Sequence, residues 1–124
     1  MTTMDYTMKR CYREAMVPFP AEFRNGVRYK VIALPGVPKL PFHYKYFCRE
    51  VVAPNRLTAR VEGYNKSIIR WGKLVVEEGK GCVIFRYKRW GIEDYVKRVS
   101  EGIYIGKFYQ HSHFKGYFLL VRED

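Results

Sequence analysis

Two adjacent carboxylates, Glu93 and Asp94, stand in a stretch where apolar and polar residues alternate. Side chains of a strand point to its two faces in turn, so a strand here directs one carboxylate into the core and the other to solvent. Burial of a carboxylate is unfavourable unless a cation or a hydroxyl pairs with it, and Arg70, Arg86 and several tyrosines are candidate partners. Glu93 and Asp94 are therefore candidate catalytic groups, acting as a general acid or base with a raised pKa. The simpler interpretation is a structural ion pair that fixes strand register.

Aromatic side chains form a second candidate site, because 17% of the residues are Phe, Trp or Tyr. Pointing inward, such rings line an apolar cavity with hydroxyl groups and suit an aromatic or acyl ligand. They could also orient a polyene for cyclisation. Pointing outward beside Arg and Lys, they form a stacking platform for single-stranded nucleic acid. The candidate ligand-binding residues are Tyr29, Tyr46, Trp71, Phe85, Tyr87, Tyr95, Tyr104 and Phe118.

The sequence contains only weak signals for a metal site or a phosphate-binding loop. His111 and His113 place two imidazoles on one side of an extended segment, but a metal site needs further ligands, and no Cys or carboxylate is near in sequence. His43 could join them only through the fold; otherwise 111–113 is a polar hairpin tip. The glycines at 102 and 106 precede no helix and so do not form a phosphate loop. We therefore predict no metal and no cofactor.

The elements that must position these groups are mostly strands. Residues 1–18 predict a helix with apolar residues at three- and four-residue spacing, which Pro18 and Pro20 end. Residues 34–41 contain three prolines and a glycine and predict a loop. A turn is predicted at 63–65 and a bulge or bend at Gly72. The predicted strands are 27–33, 43–52, 56–62, 68–76, 82–87, 92–99, 103–109 and 114–122. Short strands at this spacing favour an all-β antiparallel barrel, with the helix plugging or flanking one end.

The length of 124 residues predicts a single domain, with the helix in 1–18 and the barrel in 23–124. The formal net charge is +11, and the basic residues are spread along the chain. Such a balance is typical of a solvated face or of a nucleic-acid-binding protein. Three widely spaced cysteines and the lack of an apolar leader favour a reducing, cytoplasmic location. The apolar stretch 117–121 is too short to span a bilayer.

One part of the chain resembles a known family. Segment 92–107, followed by 116–120, is similar to small lipocalin-like bacterial proteins of the calycin type, in which an acidic strand leads to a glycine, aliphatic, tyrosine, aliphatic, glycine turn. Proteins with a GxWxG domain look similar in this region, although Trp71-Gly72 here lacks the preceding glycine. Further matching positions are Asn25-Gly26 before Tyr29, Lys45 with Phe47, and Asn55-Arg56. The resemblance implies a lipocalin-like barrel with an apolar ligand and implies no particular reaction.

The sequence thus predicts a barrel of about eight strands that binds a small hydrophobic molecule, aromatic or acyl. Cofactor-independent cyclisation or isomerisation of that molecule is a variant, so the chain is either a binding protein or an enzyme. The alternative is a basic barrel that binds nucleic acid through surface Arg and aromatic residues. An exposed aromatic edge would favour a homodimer.

Overall fold

The computed structural model describes residues 3–23, 26–33, 43–51, 59–67 and 69–123. A helix, α1 (Thr3–Glu14), is followed by a short 3-10 helical turn (Pro20–Glu22) and then by strands only. The strands are β1 (Arg28–Ala33), β2 (Tyr44–Val51), β3 (Ala59–Lys66), β4 (Arg70–Glu78), β5 (Val83–Tyr87), β6 (Ile92–Ser100), β7 (Ile103–Gln110) and β8 (His113–Glu123).

Each strand pairs antiparallel with the next, and β8 pairs with β1, so that the eight strands close into a barrel. The predicted all-β class, the strand number and the N-terminal helix are confirmed. Segment 92–99, whose spacing also fits a helix, is a strand with alternating burial. In this up-and-down order, the last residues of β1, β3, β5 and β7 and the first residues of β2, β4, β6 and β8 lie at one end of the barrel, here called the open end. The opposite ends of the strands form the plugged end.

Phe23 closes the plugged end. Pro20 fixes the backbone at the start of the short turn, and this turn delivers the fully buried Phe23 ring to the barrel axis. The ring contacts four inward-pointing aromatic side chains at centroid distances of 4.8–5.9 Å: Tyr29, Phe47, Phe85 and Tyr104. The Tyr104 hydroxyl donates a hydrogen bond of 2.7 Å to Glu22 Oε1, which anchors the turn. This half of the interior is therefore filled by side chains.

Helix α1 flanks the barrel and does not plug it. It packs against the outer face of β6 and β7. The Tyr12 ring lies between two ammonium groups, 5.0 Å from Lys97 and 4.4 Å from Lys107. Backbone hydrogen bonds between Met16 and Arg98 join the end of this segment to β6. Within the described ranges, the helical segments are too short and too polar to cross a membrane.

The turn predicted at 63–65 is wrong, because β3 continues to Lys66. Gly63 serves a close approach of strands: a Cβ there would lie 2.8 Å from the Tyr46 carbonyl oxygen. The irregularity predicted at Gly72 is present. Gly72 has a φ of +61°, and the register between β3 and β4 shifts next to it. The predicted loop at 34–41 lies outside the described residues.

Candidate functional site

The interior of the open end holds a cavity of about 250 Å³. Its walls come from strand ends that the antiparallel order brings together, at the close of β1, β5 and β7 and the start of β4 and β6. Most of the lining is apolar: Val31, Ala33, Trp71, Ile92, Phe108 and Phe118. His43, Lys45, Tyr87, Asp94 and Gln110 add polar groups to this lining. A mostly apolar cavity with a few convergent polar groups is the usual form of a small-molecule site.

Lys45 lies at the centre of the polar groups. Its side chain points inward from β2 and is almost fully buried. The ammonium Nζ donates to Asn65 Oδ1 at 2.6 Å and to the Tyr87 hydroxyl, and it lies 3.5 Å from Asp94 Oδ2. The Tyr87 hydroxyl donates in turn to Asp94 Oδ2 at 3.2 Å. Cation, phenol and carboxylate thus form one buried network across β2, β5 and β6.

Asn65 extends this network towards β4. Its amide Nδ2 donates to the Gly72 carbonyl at 3.2 Å and to the Tyr87 hydroxyl at 3.1 Å, while His43 Nε2 lies 2.8 Å from Asn65 Oδ1. A Cβ at residue 72 would lie 2.8 Å from Asn65 Nδ2, so the left-handed glycine leaves room for this amide. The register shift therefore lets the Asn65 amide join the buried network beside the cavity.

Asp94 carries an unmatched oxygen. The residue is 1% exposed, and its Oδ2 receives Tyr87 and faces Lys45. Its Oδ1 is also buried but has no hydrogen-bond partner among the described residues. Buried polar atoms in native proteins almost always have partners, and an unmet one destabilises the fold by about 1–3 kcal/mol. The cavity wall therefore includes a hydrogen-bond acceptor that the described protein groups leave unused.

Burial changes the ionisation of this network. Desolvation raises the pKa of Asp94 to about 6, although the Lys45 ammonium and the Tyr87 hydrogen bond act in the opposite direction. Desolvation also lowers the pKa of Lys45, against the attraction of Asp94. Burial raises the pKa of Tyr87 well above its usual value, and burial together with the Lys45 charge lowers the pKa of His43 to about 4. Asp94 is thus a carboxylic acid whose pKa lies about two units above its ordinary value.

Several predicted site residues line the cavity, and others fill the barrel. Asp94, Trp71, Tyr87 and Phe118 line it. The side chains of Tyr29, Phe85 and Tyr104 also point inward, but they pack around Phe23 in the filled half.

Three predicted residues point outward, so the structure does not bring them to the cavity. Glu93 lies on the opposite face of β6 from Asp94, and its Oε2 lies 3.0 Å from Arg86 Nη1. Tyr95 shares that outer face and packs edge-on against Tyr109. Tyr46 stacks on Tyr64 outside β2 and β3, with ring centroids 5.4 Å apart. Strand alternation is the cause in each case, because the inward neighbours take the interior positions.

The sequence pattern does not predict that Lys45 and His43 line the cavity, or that Asn65 joins the buried network. Tyr44 and Tyr46 are aromatic, so the pattern of β2 favours burying them and exposing Lys45. The only contrary signal is Phe47, which follows Lys45 at the two-residue spacing of one strand face. Asn65 lies in the segment for which the sequence predicts a turn. Among the described residues, no group of three or more His, Cys, Asp or Glu could hold a metal ion.

A second concavity, of about 810 Å³, lies on the outside of β3, β4 and the β5–β6 turn. We call it the mouth groove. Its cations are Arg70, Lys73, Lys88 and Arg89, and its aromatic rings are Tyr64, Trp71 and Trp90. Among the described residues of the lining, Glu62 is the only acidic one. Trp71 belongs to both the groove and the cavity, so the two concavities meet at this ring.

Comparison with known proteins gives no relative: no family model, no curated protein and no solved structure matches this chain.

Proposed function

We propose that the barrel binds a small hydrophobic molecule that carries a hydrogen-bond donor, and that Asp94 Oδ1 accepts this hydrogen bond. The buried Asp94 Oδ1, which has no hydrogen-bond partner among the described residues and lies in a mostly apolar lining, is the observation that carries the proposal. A ligand donor would satisfy it, whereas a purely apolar ligand would leave a buried acceptor without a partner.

The size of the cavity limits the ligand. An engineered apolar cavity of roughly 150 Å³ binds benzene, and pockets for drug-sized ligands begin near roughly 300 Å³. A cavity of about 250 Å³ lies between these values. It suits a single substituted ring or a short branched chain, with about ten non-hydrogen atoms by proportion with benzene.

Paired probes test this proposal. 4-Methylphenol and toluene have nearly the same shape, and only the phenol donates a hydrogen bond. We expect wild-type protein to bind 4-methylphenol about ten-fold more tightly than toluene, because hydrogen bonds to charged groups contribute about 1.5–3 kcal/mol. Asp94→Asn should remove most of this preference, while Glu93→Gln, which changes the outward carboxylate, should retain it. Nuclear magnetic resonance titration, with Ile92 and Phe108 as reporters of cavity occupancy, measures both affinities. Equal affinities in the wild type, or no binding, would refute the proposal.

Proton transfer is a second activity that the same site supports. Asp94 titrates near pH 6 and faces an apolar cavity. Its carboxylate would remove a proton from a carbon next to a ligand carbonyl and return it to another carbon of the same molecule, which is an isomerisation that requires no cofactor. The nearby Lys45 ammonium would stabilise the negative charge on the intermediate. Deuterium exchange at the α-carbon of 1-indanone tests this step. The exchange should depend on Asp94 and be unaffected by Glu93→Gln, and a rate equal to that in buffer would exclude the activity for this probe.

The resemblance to calycin-type barrels agrees with a ligand in the interior, and we propose membership of that group on the residues quoted above. The free thiols of Cys11 and Cys82 support a reducing compartment such as the cytoplasm.

Nucleic-acid binding stays the alternative function, and the mouth groove is the surface that favours it. Its exposed cations lie beside aromatic rings, with the Arg70 guanidinium 4.6 Å from the centre of the Tyr64 ring. Such pairs of cation and ring bind the backbone and the bases of single strands. Affinity for a labelled single-stranded oligonucleotide should then fall steeply with salt. No affinity at low salt would exclude this alternative.

A further inference from the structure

We infer that the mouth groove binds the phosphate of a phosphorylated ligand whose apolar end enters the barrel cavity. This inference rests on the proposed function, since it identifies the substrate class of the same site. The inference gives the mouth groove a binding role, because the cavity alone does not explain the cations gathered there.

The charge of the groove is the first observation. Four cations and one carboxylate line it. Within the described part of the chain, Arg70, Lys73, Lys88 and Arg89 form no ion pair with an acidic side chain, whereas Arg86 on the same sheet has two such partners, Glu77 and Glu93. Like charges gathered without neutralising partners repel each other, and a bound anion relieves that repulsion.

Backbone pairing holds these cations together. The Lys88 amide donates to the Lys73 carbonyl at 3.0 Å, which ties the β5–β6 turn to β4. Lys73 and Lys88 therefore approach the groove from two different elements. Arg89 follows in the same turn, and Arg70 begins β4. The positive charge is thus fixed by the sheet at one place beside the open end.

The groove and the cavity share their border. Trp71 lines both, and its ring lies 5.1 Å from that of His43 on the cavity side and 6.4 Å from that of Trp90 on the groove side. Gln110, which lines the cavity, donates through Nε2 to the Trp90 carbonyl at 3.4 Å. One elongated ligand can therefore occupy both concavities, with its apolar end inside and its charged end outside.

Trp90 has an unusual backbone. Its φ is 65°, a left-handed conformation that bulky residues rarely adopt, and its side chain is 49% exposed. Exposure of a large ring in a strained turn is unfavourable for stability alone, and such strain is concentrated at ligand sites. The conformation sets an aromatic surface beside the cations at the border with the cavity.

The charges favour a phosphate over a carboxylate. A phosphate monoester carries about −1.5 to −2 charges at neutral pH and has three strong acceptor oxygens. Two guanidinium groups and two ammonium groups match such an anion, because guanidinium binds phosphate oxygens in pairs. The single negative charge of a carboxylate would neutralise less of the positive charge of the groove than a phosphate would.

The size of the groove favours a small molecule over a nucleic-acid strand. A volume of about 810 Å³ is within the usual range of small-ligand sites, which is roughly 300–1,000 Å³. A single-strand site needs a track of cations and rings over several nucleotides, whereas these cations are gathered next to the cavity.

The test uses 4-(2-hydroxyethyl)phenol, called the alcohol, and its phosphate monoester at the aliphatic hydroxyl, called the ester. Both are titrated by calorimetry at low and at physiological salt concentration. We expect the ester to bind about ten-fold more tightly at low salt, and salt should reduce this advantage. The double variant Lys88→Gln/Arg89→Gln should lose most of the advantage and bind the alcohol as the wild type does. The control double variant Lys30→Gln/Lys115→Gln removes the same charge from exposed positions outside the groove and should keep the advantage.

Each other result has a defined meaning. If alcohol and ester bind the wild type equally, the inference is refuted and the cavity function stands. If neither binds and the cavity signals of Ile92 and Phe108 do not move, the proposed function and the inference fail together. If both double variants lose the tighter binding of the ester to the same extent, the effect comes from net charge. This result would refute the groove as the phosphate site. Tighter binding of a single-stranded oligonucleotide than of the ester, lost in the groove variant, assigns the groove to nucleic acid instead.

Discussion

The Lys45 ammonium lies 3.5 Å from Asp94 Oδ2, and both side chains are at most 3% exposed. Few ion pairs are so completely removed from water, and burial of such a pair usually gives little net stability. The pair retains one oxygen, Asp94 Oδ1, that it does not use. Under the proposed function, this oxygen is the acceptor for the hydrogen-bond donor of the ligand.

The first prediction concerns pH. Because the pKa of Asp94 rises from 3.8 to about 6 on folding, the folded state holds a proton that the unfolded state has released in this range. The contribution of Asp94 to the free energy of unfolding therefore falls as pH rises from about 4 to 7, by about 3 kcal/mol in total. Chemical denaturation of wild type and Asp94→Asn at several pH values measures the difference between them.

The comparison with Asp94→Asn is needed because His43 makes the free energy of unfolding change with pH in the opposite direction. The pKa of His43 is lowered to about 4 in the folded state, so the unfolded state binds a proton at a higher pH than the folded state does. The contribution of His43 to the free energy of unfolding is therefore lost as pH falls below 6.5. In the wild type alone, the opposite pH dependences from Asp94 and His43 would partly cancel in the measured free energy of unfolding. A difference between the two proteins that stays constant with pH would contradict the raised pKa.

The second prediction concerns Lys45. Lys45→Met removes the cation and leaves Asp94 buried without it, so we expect a loss of about 3–5 kcal/mol near neutral pH. The double variant Lys45→Met/Asp94→Asn removes both charges and should recover about 2 kcal/mol of this loss. Equilibrium denaturation in urea measures the wild type, both single variants and the double variant. Arg10→Met, which breaks an exposed ion pair with Glu14, is the control and should cost less than about 1 kcal/mol. Additive effects of the two substitutions would show that the pair is not coupled.

The third prediction concerns the plug. Phe23 is fully buried among aromatic rings, whereas Phe19, four residues earlier, is 71% exposed. Phe23→Ala should lower the free energy of unfolding by about 3–5 kcal/mol, and Phe19→Ala should leave it within about 0.5 kcal/mol. The milder Phe23→Leu should leave 4-methylphenol affinity unchanged, because the plug lies in the half of the barrel away from the cavity. Loss of affinity in a folded Phe23→Leu protein would show that the two halves are not independent.

The fourth prediction concerns Gly106, which lies opposite Phe118 in the barrel. A Cβ at residue 106 would overlap the Phe118 ring, and this ring is part of the cavity wall. Gly106→Ala should push the ring into the cavity, weaken 4-methylphenol binding and reduce stability by about 1–3 kcal/mol. At Gly81 an added Cβ meets no atom within 4 Å, so Gly81→Ala tests backbone strain alone and should not change ligand affinity. Unchanged affinity in Gly106→Ala would mean that Phe118 does not bound the binding site.

Strand β6 shows how far sequence reasoning reached. Alternation alone predicted that only one of Glu93 and Asp94 enters the barrel, and the structure identifies it as Asp94. The breaks between the predicted strands 68–76 and 82–87, and between 92–99 and 103–109, are also confirmed, because glycine allows the chain to reverse there. These features depend on a few neighbouring residues, and so a local pattern is sufficient to predict them.

The cavity could not be predicted in the same way. In β2 the more hydrophobic set, Tyr44 and Tyr46, does not take the core positions, and Lys45 enters instead. Such an inversion is stable only because Asp94, Tyr87 and Asn65 reach Lys45 from three other strands. The sequence separations are 20 residues for Asn65 and 42 for Tyr87, too long for any local pattern. Interior polar networks depend on this long-range assembly, so only the fold reveals them.

The Phe23 plug has one more consequence, for how such a barrel can diverge. The aromatic packing around Phe23 lies at one end of the barrel, and the cavity lies at the other. Substitutions at Val31, Ile92 or Phe108 can therefore reshape the cavity while the aromatic packing around Phe23 is preserved. If the proposed function holds, a barrel divided in this way can change its ligand over generations while it keeps the packing around Phe23.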